Sequence, residues 1–184
     1  MPKVLTRAQL KAYQEEGFVS PIDCISVDQA SQYFQSIESY ENEFKEDVSV
    51  NIRVRAVLAF KWMIDLARHP KISGALQDCI GPNVLLFLSG VWSKRPGTDT
   101  FVSWHQDGAY NPFDRNTGAT AWIGLTDSTP EKGNIRCIPG SHREIIAHEE
   151  RFDNDNILSR GQSVPKVDVS EAVDLPLRAG QFSS

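Results

Sequence analysis

Cysteine is scarce in this chain of 184 residues: Cys24, Cys79 and Cys137 are odd in number, widely spaced and form no CxxC. That excludes a disulfide framework and a thiolate zinc cluster. It reads instead as three small core residues in a reducing compartment, so the expected location is cytoplasmic. An excess of positive charge is lacking too. The net charge is −5, the pI is about 5.4, and no basic run occurs anywhere. Nucleic acid and anionic membrane surfaces therefore find no cationic patch and are excluded as partners. Long apolar runs are absent: the longest, around Val84, Leu85, Leu86, Phe87 and Leu88, falls far short of the roughly 20 residues that cross a bilayer. The opening MPKVLTRAQL has no signal-peptide core. There is no internal repeat and no low-complexity segment. Histidine is sparse as well, limited to His69, His105, His142 and His148, and any metal must rely on these together with carboxylates.

What is present fits one soluble globular domain over 1–184, with 40% hydrophobic and 23% charged residues. Residues 1–82 read as helical. Thr6-Arg7-Ala8-Gln9 matches a capping box, Leu10 and Tyr13 continue the apolar face, and Gly17 stops the helix. A second helix is predicted over 26–44, with Ala30, Tyr33/Phe34, Ile37 and Tyr40/Phe44 at three-to-four spacing; acidic residues within 38–47 form its solvated face and exit. A third covers 54–68, with Val57/Leu58, Trp62 and Leu66 as the buried stripe. Pro70 opens a fourth that ends at Gly81-Pro82, and His69 before it reads as a surface or cap residue. From 83 onward the texture changes to short β-branched and aromatic runs, at 83–92, 101–105, 120–126, 135–139 and 173–182, separated by Gly, Pro, Asn and Asp. Helices first and strands afterwards imply an α+β chain with a sandwich or barrel under a helical layer. The polar stretch 144–173 has little periodicity and reads as an excursion near a site mouth.

The chemistry concentrates at Trp104-His105-Gln106-Asp107. His105 and Asp107 stand two apart, so an extended backbone projects both to one face. An imidazole and a carboxylate so placed make two thirds of the 2-His-1-carboxylate triad that holds non-haem Fe(II). The HxD pair alone also suits a strand-end histidine hydrogen-bonded to a neighbouring acid.

The context resembles the phytanoyl-CoA dioxygenase family of Fe(II)- and 2-oxoglutarate-dependent oxygenases. LTRAQLKAYQEEGF is similar to its opening helix, and SKRPGTDTFVSWHQDGAYNPFD to the segment with two iron ligands. TAWIGLTDSTPEKGNIRCIPGSHRE is similar to the strand pair ending in PGSH, and NILSRGQSV with DLPLRAGQFSS to the approach to the distal histidine. The resemblance implies a double-stranded β-helix (jelly roll, cupin-like) with N-terminal helices packed on one sheet. It implies Fe(II) and 2-oxoglutarate as cofactors, His105 and Asp107 as metal ligands, and Gln106 and Trp122 at the 2-oxoglutarate pocket. Trp122 in an apolar strand equally suits a core position. Lys94 reads either as a cation for an acidic group or as a solvated loop charge.

The implied reaction is hydroxylation of a C–H bond in a small-molecule or thioester substrate with O2. Asp107 fills the position that related halogenases leave open to chloride. His142 is expected to form turn and pocket-wall contacts rather than bind metal, and His148 to lie in a solvated charged run. Selectivity is expected in the loop of residues 109–114 and in the excursion after His142. The family's distal His and 2-oxoglutarate-binding Arg are expected beyond residue 184, which makes a longer parent chain the expectation. The alternatives are a catalytically inactive jelly-roll binding or scaffold protein, and a cupin-type metalloenzyme using His105, Asp107 and His142.

Overall fold

The computed structural model describes residues 2–110, 118–158 and 161–184. Helix α1 (Arg7–Glu16) is bounded as its sequence dictates. Thr6 Oγ1 accepts from the Gln9 amide at 3.2 Å, and Gln9 Oε1 accepts the Thr6 amide at 2.9 Å. Gly17 ends the helix at φ +89°, a left-handed conformation that costs glycine least. Helix α2 (Val27–Phe44) starts on the Ser26 hydroxyl and buries Ala30 and Ile37. Its outer aromatics divide: Tyr33 stacks on Trp62 with centroids 4.4 Å apart, while Phe44 remains 54% exposed.

The predicted third helix is broken. After a short turn α3 (Val48–Asn51), the chain forms α4 (Ala56–Ala59) and α5 (Lys61–Ala67), with Phe60 extended between them at φ −116°, ψ 101°. The break turns the phenyl ring inward against Tyr40 and Trp62, and shifts the buried stripe to Ala56, Phe60, Met63 and Leu66. Leu58, expected inside, is 85% exposed. Helix α6 (Pro70–Ile80) follows with proline in its first turn, and His69 Nδ1 accepts the Lys71 amide at 3.3 Å. His69 is thus the cap. Asp78 on α6 secures the amino-terminal arm: its carboxylate accepts the amides of Lys3, Val4 and Leu5 at 2.7, 2.8 and 3.0 Å.

Short strands complete the fold. A three-stranded antiparallel sheet has β7 (Gln181–Ser183) at its centre, flanked by β1 (Ile22–Asp23) and β2 (Trp122–Ile123). Ile22 and Ile123 both lie opposite Phe182, which is 0% exposed and packs with Leu5, Leu66, Ile72 and Ala75. That cluster joins sheet to helices; a second, around Ile37, Val48, Phe60 and Met63, lies within the helical part. Two further antiparallel pairs are β3 (Ile135–Cys137) with β6 (Val173–Leu175), and β4 (Glu149–Glu150) with β5 (Gln162–Ser163).

Three expectations change. Residues 83–92 form no ladder; Leu85 is 80% exposed, and the Val91 amide bonds instead to the Arg53 carbonyl at 3.1 Å. Residues 101–105 make one isolated parallel bridge, Phe101 to Asn156. The excursion after His142 is partly ordered, since it supplies β4 and β5. The acidic turn also has an internal partner: Arg95 pairs with Glu41 at 2.7 Å and with Asp47 at 3.0 Å. Cys24 lies in the core, Cys79 packs half-buried against it and Cys137 is half-buried on β3, and burial pushes each thiol up to about 11. No helix among the described residues is long and apolar enough to cross a membrane. Residues 111–117, which include the 111–114 part of the loop expected to select substrate, and 159–160, within the excursion, lie outside the described residues.

Candidate metal centre

The chain around His105 is held by isolated side-chain and backbone bonds rather than by a ladder. Asn156 Nδ2 donates to Ser103 Oγ at 3.0 Å, Ser103 Oγ donates to the Gln162 carbonyl at 3.0 Å, and the Val164 amide donates to the Trp104 carbonyl at 2.8 Å. His105 and Asp107, two apart in sequence, bring their side chains together, and the chain turns into a short 3-10 segment at Asp107–Tyr110.

His105 Nε2 and Asp107 Oδ1 lie 3.2 Å apart. Two donors bound to one ion at about 2.0–2.2 Å and at right angles would stand about 3 Å from each other. The imidazole is oriented from behind, as its Nδ1 donates to the Ser103 carbonyl at 2.8 Å and leaves Nε2 as the outward lone pair. Metal-binding histidines are ordinarily fixed in this manner. The Tyr110 ring meets the imidazole edge-on, centroids 5.6 Å apart.

Asp107 has a keeper of its own: the Thr120 hydroxyl donates to Oδ2, which directs Oδ1 towards the imidazole. The Asp107 side chain is 63% exposed and His105 only 21%, so the pair is open on the carboxylate side. Electrostatics reinforce the pairing. Burial works to lower the His105 pKa, but the Asp107 bond, the Ser103 carbonyl and the Asp107 charge outweigh it and raise it. The His105 hydrogen bond lowers the Asp107 pKa against its desolvation, aided by Thr120. Each group thus favours the charged form of the other, and a cation bound between them would compete with the imidazole proton.

Gln106 projects into the returning chain. Its Nε2 donates to the Glu144 and Ser141 carbonyls at 2.9 and 3.1 Å, and its Oε1 accepts the Ile146 amide at 3.1 Å. Its own amide donates to His148 Nε2 at 2.9 Å, and His148 Nδ1 donates to the Ile146 carbonyl at 2.9 Å. His148, read from sequence as solvated, is therefore bonded at both nitrogens.

His142 lies away from the pair. The turn Gly140-Ser141-His142-Arg143 docks on the end of α1: the Gly140 amide donates to the Glu16 carbonyl at 2.8 Å, Arg143 donates to the Glu15 carbonyl at 2.8 Å, and the His142 ring packs on Gly17. Lys94 Nζ donates to the Gly133 carbonyl at 2.8 Å. Trp122 is half-buried on β2 opposite Ser183. Among the described residues no third His, Cys, Asp or Glu joins His105 and Asp107 in a set that could hold a metal ion.

Sequence reasoning passed over Thr120, Ser103 and Asn156, and read His148 only as part of a solvated run. Thr120 had a signal, since it stands two residues before Trp122, the spacing that returns to the same face of an extended chain. Asn156 and His148 are distant in sequence from whatever they hold, and no local pattern marks them; Ser103 is only two residues from His105 but acts there through its backbone carbonyl, which every residue type supplies.

The family model described as phytanoyl-CoA dioxygenase matches residues 13–183. A protein of Stutzerimonas stutzeri described as a probable alpha-ketoglutarate-dependent hypophosphite dioxygenase is 24% identical over 166 residues, covering 81% of this chain and 56% of its own. The chain thus spans about half the length of that curated relative. Among solved structures, the apo form of the non-heme monooxygenase ThoJ aligns with a TM-score of 0.78 and 24% identity, over 95% of this chain and 66% of its own. The epimerase SnoN, solved with Fe3+, alpha-ketoglutarate and nogalamycin RO, aligns with a TM-score of 0.68 and 21% identity, over 96% of this chain and 72% of its own. These alignments show a shared fold.

Proposed function

The chain belongs to the phytanoyl-CoA dioxygenase family, and from that premise we propose that it is the ligand-bearing part of an Fe(II)- and 2-oxoglutarate-dependent dioxygenase. The reaction assigned is hydroxylation of a C–H bond in a small-molecule or thioester substrate with O2. The fold proposed is the double-stranded β-helix, of which the short antiparallel pairs are the described portion. The domain is proposed as a single unit, with 1–82 as helical buttress and 83–184 as strands.

The observation that carries this reading is the 3.2 Å approach of His105 Nε2 to Asp107 Oδ1, each group held from behind by a different residue. One nitrogen and one carboxylate oxygen suit Fe(II), a borderline ion served by imidazole and carboxylate together. When bound, iron with 2-oxoglutarate supplies the oxygen activation that side chains cannot perform. The chain's own residues supply orientation. Ser103 fixes the imidazole tautomer, and Thr120 holds Asp107 to a single outward oxygen, leaving room on the ion for the cosubstrate. An acid at position 107, rather than a small residue, favours hydroxylation over halogenation.

Gln106 and Trp122 are proposed to border the 2-oxoglutarate pocket, Trp122 as a wall from β2 and Gln106 through the 141–146 chain that it grips. A cupin-type site through His142 loses support, because that ring is packed on Gly17. The non-catalytic scaffold reading rests on the two-donor set, and one experiment separates it. Fe(II) and then 2-oxoglutarate are added to the full-length protein without oxygen. A visible metal-to-ligand charge-transfer band, followed by succinate on admitting oxygen, is the expected result. Iron bound with neither band nor succinate would overturn the oxygenase reading.

A further inference from the structure

We propose that His148 is a positioning residue for the metal pair, acting through the peptide of Gln106; this rests on the oxygenase reading above. Gln106 sits between the two ligands, so the orientation of its peptide sets the directions in which His105 and Asp107 leave the backbone. In a regular sheet that amide would be fixed by a neighbouring strand. Here no ladder runs through residues 102–106, and His148 Nε2 takes the amide at 2.9 Å. A backbone N–H can only donate, so Nε2 must present its lone pair. The second bond, from Nδ1 to the Ile146 carbonyl at 2.9 Å, selects that tautomer.

The same short segment is gripped from the other side. The Gln106 carboxamide bonds to the carbonyls of Ser141 and Glu144 and to the amide of Ile146. Together these bonds form a clasp: the side chain of 106 reads the backbone of 141–146, and the side chain of 148 reads the backbone of 106. Both donors in 146 and 106 and the acceptor at 146 are satisfied within it, and none of the bonds reaches the ligand atoms themselves. The function of such a clasp is to hold the ligand separation, because rotation of the 106 peptide moves both side chains at once.

Two substitutions divide the roles of the ring nitrogens. His148→Gln can place a carbonyl oxygen near the Nε2 position and keep the acceptor. His148→Asn keeps a donor near the Nδ1 position and loses the acceptor. Co(II) is titrated into the full-length protein and its variants, with the dissociation constant read from visible absorption, and amide hydrogen exchange is followed at Gln106. His148→Asn and His148→Ala are expected to weaken Co(II) binding about tenfold, the lower end of the effect of partners outside the ligand set, and to speed exchange at Gln106. His148→Gln is expected to stay close to the parent in both.

Co(II) binding unchanged in His148→Ala would overturn the proposal. So would equal weakening in all three variants accompanied by equal loss of melting temperature, which is the mark of a merely structural residue. A parent protein that takes up no Co(II) would instead sink the oxygenase reading, and the positioning role with it.

Discussion

Helices over residues 7–80 and the chain over 101–110, which carries the proposed ligands His105 and Asp107, obtain their order in opposite ways. In α1 the cap bonds span three residues, Thr6 with Gln9, and the helix then propagates on its own backbone. Around His105 the partners come from far away: Ser103 from 53 and 59 residues off, Gln106 from 35 to 42. A helix closes its hydrogen bonds within itself, whereas an extended segment must recruit whatever lies beside it. The helical part therefore sets stability, and the recruited part sets geometry. Core packing follows the division, since the buried side chains lie mainly in the helices and in β7, while Asp107 and Thr120 stand at the surface.

The sharpest break of this contrast is Asp107→Ala. In the full-length protein it should abolish hydroxylation, measured as succinate formation, while the melting temperature hardly moves; unchanged turnover would remove Asp107 from the metal. Phe182→Ala should do the reverse and cost about 3–5 kcal/mol in urea unfolding, because a fully buried ring in the cluster shared by helices and sheet leaves a cavity. A loss under 1 kcal/mol would show that the sheet is not tied to the helices as described.

Asp78→Ala should cost about 2–3 kcal/mol, since three amides lose a charged acceptor. Its pH signature has a definite sign. Desolvation works to raise the Asp78 pKa, but the amides of Lys3, Val4 and Leu5 and the Lys3 charge outweigh it, and the folded pKa is depressed. Its stabilisation is therefore complete above the unfolded value near 4 and lost as pH falls through the folded one. Acid unfolding of the Asp78→Ala protein should begin from a lower plateau and fall less between neutral pH and the acid limb. Thr120→Val should weaken Co(II) about tenfold, near 1.4 kcal/mol, with little change in melting temperature. At the small end, Leu58→Gln should stay within about 0.5 kcal/mol, as befits a side chain that is 85% exposed.

That last residue shows where sequence reading falters. Periodicity placed Leu58 inside because it assumed one unbroken helix over 54–68; the extended backbone at Phe60 resets the phase, and nothing local announces it. By contrast Thr6, Gly17, Ser26 and Pro70 were legible, because caps and first-turn prolines act within four residues of the bonds they make. The approach of His105 to Asp107 was legible for the same reason, as two positions two apart in one short segment. Its supports were not. Thr120, Asn156 and His148 act across 13, 53 and 42 residues, and their significance exists only once the chain has returned. The run 83–92 failed in the other direction: its residues favour a strand, but strand formation also needs a neighbour.

The docking of the Gly140–Arg143 turn on the end of α1 has a consequence for how this chain can change length. The turn reads the Glu15 and Glu16 carbonyls and rests its imidazole on Gly17. Inserting or deleting one residue in α1 would rotate those groups by about 100° and shift them by about 1.5 Å, breaking every part of the seat together. The exposed turn at Pro96 and Gly97 carries no such docking role. Indels should therefore accumulate there, while the ten-residue count of α1 stays constant.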